Sequence, residues 1–239
     1  MQYGATREGQ AELEEKIGYT FSDRALLKQA LTHSSYANEI KITKCDNYER
    51  LEFLGDAVLE LVSSDFLFSE YPDMTEGKLS KLRASLVCET ALAYTAHELK
   101  LERYFLLGRG EESTGGRNRS AIACDIVEAL IGAIYLDSGI EEARKFIFTF
   151  ILNDIESKQL FYDAKSILQE FVQGRTMGQL HYRVTDERGP EHDKEFCVEL
   201  SLEQRVVGHG TGHNKKAAEQ QAAYQALLLL QKEDGLACT

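Results

Sequence analysis

The hydrophobic rhythm of the chain changes once, and that change divides it. From about Ala11 to Ile155 apolar residues recur at intervals of three and four, the period of a helix, with few alternating β-branched stretches. A polar stretch then reaches Asp163, and a helical segment at Ala164–Gln173 gives way to alternation around His181–Glu187, Glu195–Leu202 and Gln204–His209. An alanine-rich helical run at Lys215–Gln231 follows. The expected architecture is an all-α domain over residues 8–155, then a small α+β domain over 162–232 with the order α-β-β-β-α, which suits a length of 239 residues. Helices are predicted at Asp23–Ala37, Asn47–Glu70, Gly77–Leu99, Ile122–Leu136 and Ile140–Ile155. The Pro72 region and the stretch 108–119, which carries four glycines, interrupt the helical pattern. Gly189-Pro190 and Gly208 to Gly212 read as turns, and the tail after Asp234 as disordered.

A formal charge of −12 excludes a generally polybasic nucleic-acid binder, so any such site must be local. Cys45, Cys88, Cys124, Cys197 and Cys238 are odd in number, widely spaced and without a C-x-x-C pair, the usage of reduced thiols in a cytosolic protein. Residues Met1 to Lys16 are polar and acidic, unlike a secretory signal, and no apolar run approaches the ~20 residues that cross a bilayer. The expectation is a cytoplasmic protein with no membrane partner.

Carboxylates concentrate the chemistry. In the helix beginning at Asn47, a rotation of 100° per residue places Glu49, Glu52, Asp56 and Glu60 on one stripe and Leu51, Leu54, Val58 and Leu61 opposite. Like charges at this spacing repel, so something positive should offset them. The plain alternative is a solvated face. A second helix shifts the balance: from Ile122 to Leu136 the only acids are Asp125 and Glu128, on a helix apolar nearly all round and therefore buried. Buried acids need partners. Two such helices packed together would form the oxygen-rich environment that Mg²⁺ or Mn²⁺ prefers, with an arginine ion-pair network as the competing explanation.

The run Asn47-Tyr48-Glu49-Arg50-Leu51-Glu52-Phe53-Leu54-Gly55-Asp56 resembles the signature helix of the ribonuclease III family, and Asp125-Ile126-Val127-Glu128-Ala129-Leu130-Ile131-Gly132-Ala133 resembles its second acidic motif. Ala30 to Ser35, Glu76 to Arg83, and Leu107-Gly108 to Arg117 resemble further segments of that family in the same order. The resemblance implies that Glu52, Asp56, Asp125 and Glu128 hold catalytic divalent metal, Mg²⁺ with Mn²⁺ as a substitute, and that Asp56 and Glu128 are catalytic. Glu49 and Glu76 match further acidic positions of the cleavage cleft. Metal would activate water for in-line attack on a phosphodiester and stabilise the leaving 3′-oxygen, giving 5′-phosphate and 3′-hydroxyl ends. It also implies a homodimer that processes ribosomal and other structured RNA precursors. One departure is Ala121-Ile122-Ala123-Cys124, where the family more often has Ser-Ile-Leu-Ala. His33, between Thr32 and Ser34, reads as structural, and the glycine-rich stretch 108–119 lacks the spacing of a nucleotide-binding P-loop.

The second domain resembles the double-stranded-RNA-binding domain in Ser166-Ile167-Leu168-Gln169-Glu170, in Gly189-Pro190-Glu191-His192, and in Gly210 to Lys216 with the Ala217-Ala218-Glu219-Gln220 that follows. The implied RNA-binding residues are Ser166, Gln169, His192, Asn214, Lys215 and Lys216. Residues 163–239 hold nine Lys and Arg against twelve Asp and Glu, so recognition must rest on shape, 2′-hydroxyl contacts and a local lysine patch rather than on bulk attraction. The reading is therefore an all-α nuclease domain followed by a reader of duplex RNA, an endoribonuclease without a nucleotide cofactor. Its rivals are a binding protein that holds duplex RNA without cutting it and a helical scaffold whose acids are neutralised by arginines.

Overall fold

The computed structural model describes residues 2–41, 46–153, 155, 164–189, 194–212 and 214–233. His192 and the rest of residues 190–193, the segment 156–163, Cys45, His213 and residues from 234 on lie outside the described residues. The chain divides into two compact units, Met1–Asn153 and Asp154–Thr239.

The first unit is helical: α1 (Arg7–Ile17), α2 (Arg24–Ala30), α3 (Ser34–Ile40), α4 (Glu49–Glu70), α5 (Glu76–Leu86), α6 (Glu89–Glu98), α7 (Arg109–Ser113), α8 (Ser120–Ser138) and α9 (Ile140–Phe150). Helix α8 is its axle. Ile126, Val127, Ala129, Leu130, Ile131, Ala133 and Ile134 are completely buried, and α4, α6, α9 and α2 pack around them. Each large aliphatic side chain buried in this way contributes about 1.5–3 kcal/mol. Leu136 at the end of α8 departs from the pattern and is exposed.

Two predicted helices are each divided in two. The run Asp23–Ala37 breaks at Leu31–His33 because those residues leave the helical ladder to form a parallel bridge with Leu106: Leu106 N–H donates to Leu31 O at 2.9 Å and His33 N–H to Leu106 O at 3.0 Å. The imidazole of His33 then caps α3, its Nδ1 accepting the Ser35 N–H at 3.1 Å. The run Gly77–Leu99 breaks at Val87 and Cys88, where Cys88 takes the extended backbone of a helix N-cap. At the start of the chain the helix begins earlier than the expected Ala11. Thr6 caps it by accepting the Gly9 N–H at 3.0 Å, and Gly18, with φ of +68°, closes it.

In the second unit α10 (Ala164–Gly174) precedes a three-stranded antiparallel sheet, β1 (Leu180–Arg188), β2 (Glu195–Leu202) and β3 (Arg205–Gly212), in the order β1-β2-β3, and α11 (Lys215–Glu233) covers it. Its core joins Leu168 and Val172 of α10, Val198 and Leu200 of β2, Val207 of β3, and Ala218, Ala222, Ala226 and Leu227 of α11. Residues Gly208 to Gly212, expected to form a turn, are part of β3. A side chain on Gly208 would lie 2.2 Å from Ala222 O and one on Gly210 2.1 Å from Ala218 O, so these glycines let the alanine face of α11 rest directly on the strand.

Candidate functional site

Glu52 and Asp56 enter the site on α4, and Asp125 and Glu128 on α8. What brings the two pairs together is a crossing with almost no side chain in it. A Cβ on Gly55 would fall 1.8 Å from Glu128 O, and one on Gly132 would fall 2.2 Å from Leu51 O. The glycine next to Asp56 therefore lies on the backbone of Glu128, and the glycine one turn after Glu128 lies on α4. Any larger residue at either position would push the carboxylates apart.

The charges register this proximity. Burial first, then the charges of Asp125, Glu49 and Asp56, push Glu52 up to about 7. Burial, then Asp56, Asp125 and Glu52, push Glu128 up to about 8. Asp125 is also raised, mainly by burial, while a hydrogen bond from the Tyr48 hydroxyl at 2.9 Å opposes the shift. Among the described residues none of these four carboxylates is paired with Lys, Arg or His. The arginine network that would neutralise the cluster is thus missing from it. A set of crowded oxygens with uncompensated charge fits a hard divalent cation.

The tightest three-residue grouping on α8 is Cys124, Asp125 and Glu128, whose ligand atoms lie within 4.8 Å of one another. Cys124 Sγ lies 3.9 Å from Glu128 Oε1. Burial and the neighbouring acids push the thiol far above its usual range, so it is a neutral S–H donor rather than a thiolate. Oxygen-seeking cations gain little from such a group, which leaves Glu52 and Asp56 as the better complement to the α8 pair.

Glu60, on the same stripe, leaves the group: it pairs with Arg83 of α5 at 2.7 Å, and Arg83 also donates to Ser64 Oγ at 2.7 Å. Leu61, expected on the apolar side, is 62% exposed, as are Phe53 at 80% and Phe68 at 75%. Glu49 is exposed at the start of α4, and its charge acts on Glu52 and Asp125. Glu76 is not among the charges that shift Glu52, Asp125 or Glu128. It lines a groove between α4 and α5 with Leu61, Phe68, Leu79 and Arg83, and accepts the Ser80 hydroxyl at 2.8 Å.

The stretch 108–119 holds α7 and a 3₁₀ turn at Gly116–Asn118. Its arginines are engaged within the protein: Arg109 with Glu39, Arg117 with Glu112 and Arg119 with Glu111. Sequence reasoning missed Tyr48. Its signal was an aromatic side chain directly before the first acid of α4.

In the second unit Ser166 and Gln169 lie on α10, half-buried and exposed respectively. Asn214 caps α11 by accepting the Ala217 N–H at 2.8 Å, and Lys215 and Lys216 are exposed on its first turn, where free N–H groups favour an anion. Lys215 is partly occupied, its Nζ 3.7 Å from Glu187 and 5.6 Å from the centre of the Phe196 ring. Lys194 holds the same Glu187 at 2.8 Å.

Two family models match the chain, Ribonuclease-III-like over residues 23–155 and Double-stranded RNA binding motif over residues 164–230. Among its relatives, Ribonuclease 3 of Shouchella clausii is 50% identical over 225 residues, covering 93% of this chain and 86% of that one. Ribonuclease 3 of Bacillus licheniformis is 49% identical over 223 residues, covering 92% and 90%. A solved structure of the nuclease domain of Ribonuclease III from Campylobacter jejuni, described by its flexibility in a region involved in dimer formation, aligns with a TM-score of 0.55 at 44% identity, over 59% of this chain and 94% of that one.

Proposed function

Since this chain belongs to the ribonuclease III family and is an endoribonuclease specific for double-stranded RNA, we propose that Glu52, Asp56, Asp125 and Glu128 hold the divalent metal on which this metal-dependent family relies. The observation that carries this reading is the crowding of four unpaired carboxylates at the Gly55/Gly132 crossing, with Glu128 pushed up to about 8. Mg²⁺ is the physiological ion in this reading, with Mn²⁺ able to replace it. Bound there, the ion supplies a Lewis acid for phosphodiester hydrolysis and lowers the pKa of water. The protein's part is to supply charge and position. Asp56 and Glu128 face the reacting phosphate, and Glu49 and Glu76 border the cleft that receives the duplex. The products are 5′-phosphate and 3′-hydroxyl ends, and the substrates are ribosomal and other structured RNA precursors in the cytoplasm.

The second unit holds the duplex. Ser166, Gln169 and His192 address 2′-hydroxyls in the minor grooves, while Lys215 and Lys216, on a helix start capped by Asn214, meet phosphates between them. Phe53, Leu61 and Phe68, all exposed on α4, supply the apolar face of a homodimer.

Replacing Glu128 with Ala tests the metal assignment. Cleavage of long duplex RNA should fall by at least about 10³-fold, equivalent to about 4 kcal/mol, while duplex affinity measured in Ca²⁺ stays within about twofold of wild type. Cleavage by Glu128→Ala at the wild-type rate would remove that residue from the metal site.

A further inference from the structure

We propose that Tyr48 is a positioning residue for the metal centre: its phenol fixes the Asp125 carboxylate in the orientation that presents the other oxygen to the cation. The inference rests on reading Asp125 as a ligand. The Tyr48 hydroxyl donates to Asp125 Oδ2 at 2.9 Å, while Oδ1 accepts no hydrogen bond among the described residues. Tyr48 is only 5% exposed, and its ring is held on more than one side. It packs against the His33 imidazole with centroids 5.5 Å apart, and its own N–H donates to Thr32 O at 2.9 Å. The adjoining Asn47 is buried too: its carbonyl accepts the Gln29 side chain at 3.1 Å and its Oδ1 accepts the Glu49 N–H at 3.1 Å. The phenol is thus anchored to the α2–α3 corner before it touches Asp125.

The placement couples two helices as well as orienting one carboxylate. Tyr48 is the residue immediately before α4, one turn ahead of Glu52, while Asp125 stands on α8. A single hydrogen bond therefore ties the start of the helix bearing Glu52 and Asp56 to the helix bearing Asp125 and Glu128. It is also the only hydrogen bond with normal oxygen or nitrogen geometry that a side chain makes to the four carboxylates among the described residues, the other contact being the 3.9 Å approach of Cys124 Sγ. Burial and the surrounding acids keep the phenol protonated, so it remains a donor. Hydrogen-bond partners of metal ligands commonly set affinity by ~10- to 100-fold because they pay in advance for ligand orientation.

The test is Tyr48→Phe in the full-length protein, with Tyr19→Phe as a matched control. Tyr19 makes the same kind of contact, its hydroxyl donating to Asp137 at 2.6 Å, but twelve residues further along α8, about 18 Å from Asp125 by helical rise. Mn²⁺ binding without RNA, read by electron paramagnetic resonance, should weaken about tenfold in Tyr48→Phe and stay unchanged in Tyr19→Phe. The Mg²⁺ concentration giving half-maximal cleavage should rise in parallel, with the rate recovering at saturating Mg²⁺ and duplex affinity in Ca²⁺ unaltered. Wild-type Mn²⁺ affinity in Tyr48→Phe would overturn the proposal, as would an equal loss in both variants. If Tyr48→Phe does not fold, Tyr48→Gln, whose amide can still donate to Asp125, should retain the Mn²⁺ affinity that Tyr48→Leu loses, and equal affinities in those two variants would overturn the proposal. Asp125→Asn separates the underlying reading: if it leaves Mn²⁺ binding unchanged, Asp125 is not a ligand, whereas if it abolishes binding while Tyr48→Phe does not weaken it, only the role of Tyr48 falls.

Discussion

The two units of this chain solve one packing problem in the same way and with opposite electrostatic results. In the first, α4 meets α8 at Gly55 and Gly132. In the second, α11 meets β3 at Gly208 and Gly210. At the first contact the near approach forces four acids together without a positive partner among the described residues, and Glu128 is pushed up to about 8. At the second the approaching face is alanine, and the charges stay at the surface in pairs such as Arg183–Glu199, Arg205–Glu233 and Lys215–Glu187. A glycine contact is thus neutral as to function. What it does depends on which side chains flank it.

The largest expected effects come from closing these contacts. Gly55→Ala places a methyl 1.8 Å from the Glu128 carbonyl, an overlap that only backbone movement can relieve. It should cost about 3 kcal/mol, a large share of a typical domain's stability, and abolish Mn²⁺ binding as the acids separate. Gly210→Ala, with its methyl 2.1 Å from Ala218 O, should disrupt the second unit and weaken duplex binding while Mn²⁺ binding to the first survives. Hydrogen exchange resolved by segment would follow both. Unchanged metal affinity in a folded Gly55→Ala protein would mean that the crossing does not hold the acids in place.

The comparison also sets opposite pH signs. At the crossing, Glu52 and Glu128 titrate near 7 and 8 in the folded protein, above the ~4.3 of an unfolded glutamate. Between those values the folded state binds more protons than the unfolded one, so this part of the stability is complete below about 4 and is lost as pH rises through 7 to 8. In the second unit the exposed Asp186, Glu187 and Glu233 are held below their usual range by hydrogen bonds from Arg188, Lys194 and Arg205 respectively. Their smaller contribution is present at neutral pH and lost on acidification. Metal-free protein should therefore show protection of α4 and α8 declining between pH 5.5 and 8.5, with Mn²⁺ restoring it and binding more tightly as pH rises through that window. Protection that is flat with pH across α4 and α8 would mean that the cluster is not strained.

What the sequence made legible was whatever depends on nearby residues. The burial of α8 followed from an almost unbroken apolar run, and the spacing of Glu52, Asp56, Asp125 and Glu128 put each pair on one face. The divided helices were hidden because apolar spacing continues through Leu31 and Leu86, while the break at Leu31–His33 depends on a bridge to Leu106. The local Thr-His-Ser-Ser cluster was the available capping signal. Tyr48 acquires its role from a residue 77 positions away. Gly208 to Gly212 carry the composition of a turn, yet they are a strand because a helix from later in the chain lies on them. Glu60 was grouped with the acids by helix geometry alone, and the arginine that removes it comes from α5.

The smallest effects belong to the surface of the second unit, where the comparison is sharpest. The proposed phosphate-binding Lys215 already faces Glu187, a carboxylate it shares with Lys194. Duplex RNA must displace this pairing as well as solvent ions. Lys215→Ala combined with Lys216→Ala should weaken duplex binding and reduce the slope of log K against log salt by up to about two, since each phosphate contact contributes about 0.9. Glu187→Gln should act in the other direction, raising affinity by about twofold at low salt, because an exposed ion pair is worth little and screening diminishes it further. In the Lys215→Ala background most of that gain should vanish, with any remainder traceable to Lys194. A salt slope unchanged by the double substitution would place both lysines away from the phosphates. A normal slope change with no gain from Glu187→Gln would instead mean that Lys215 turns to RNA without giving anything up, and the second unit's paired charges would then not oppose binding as the unpaired acids of the first unit oppose folding.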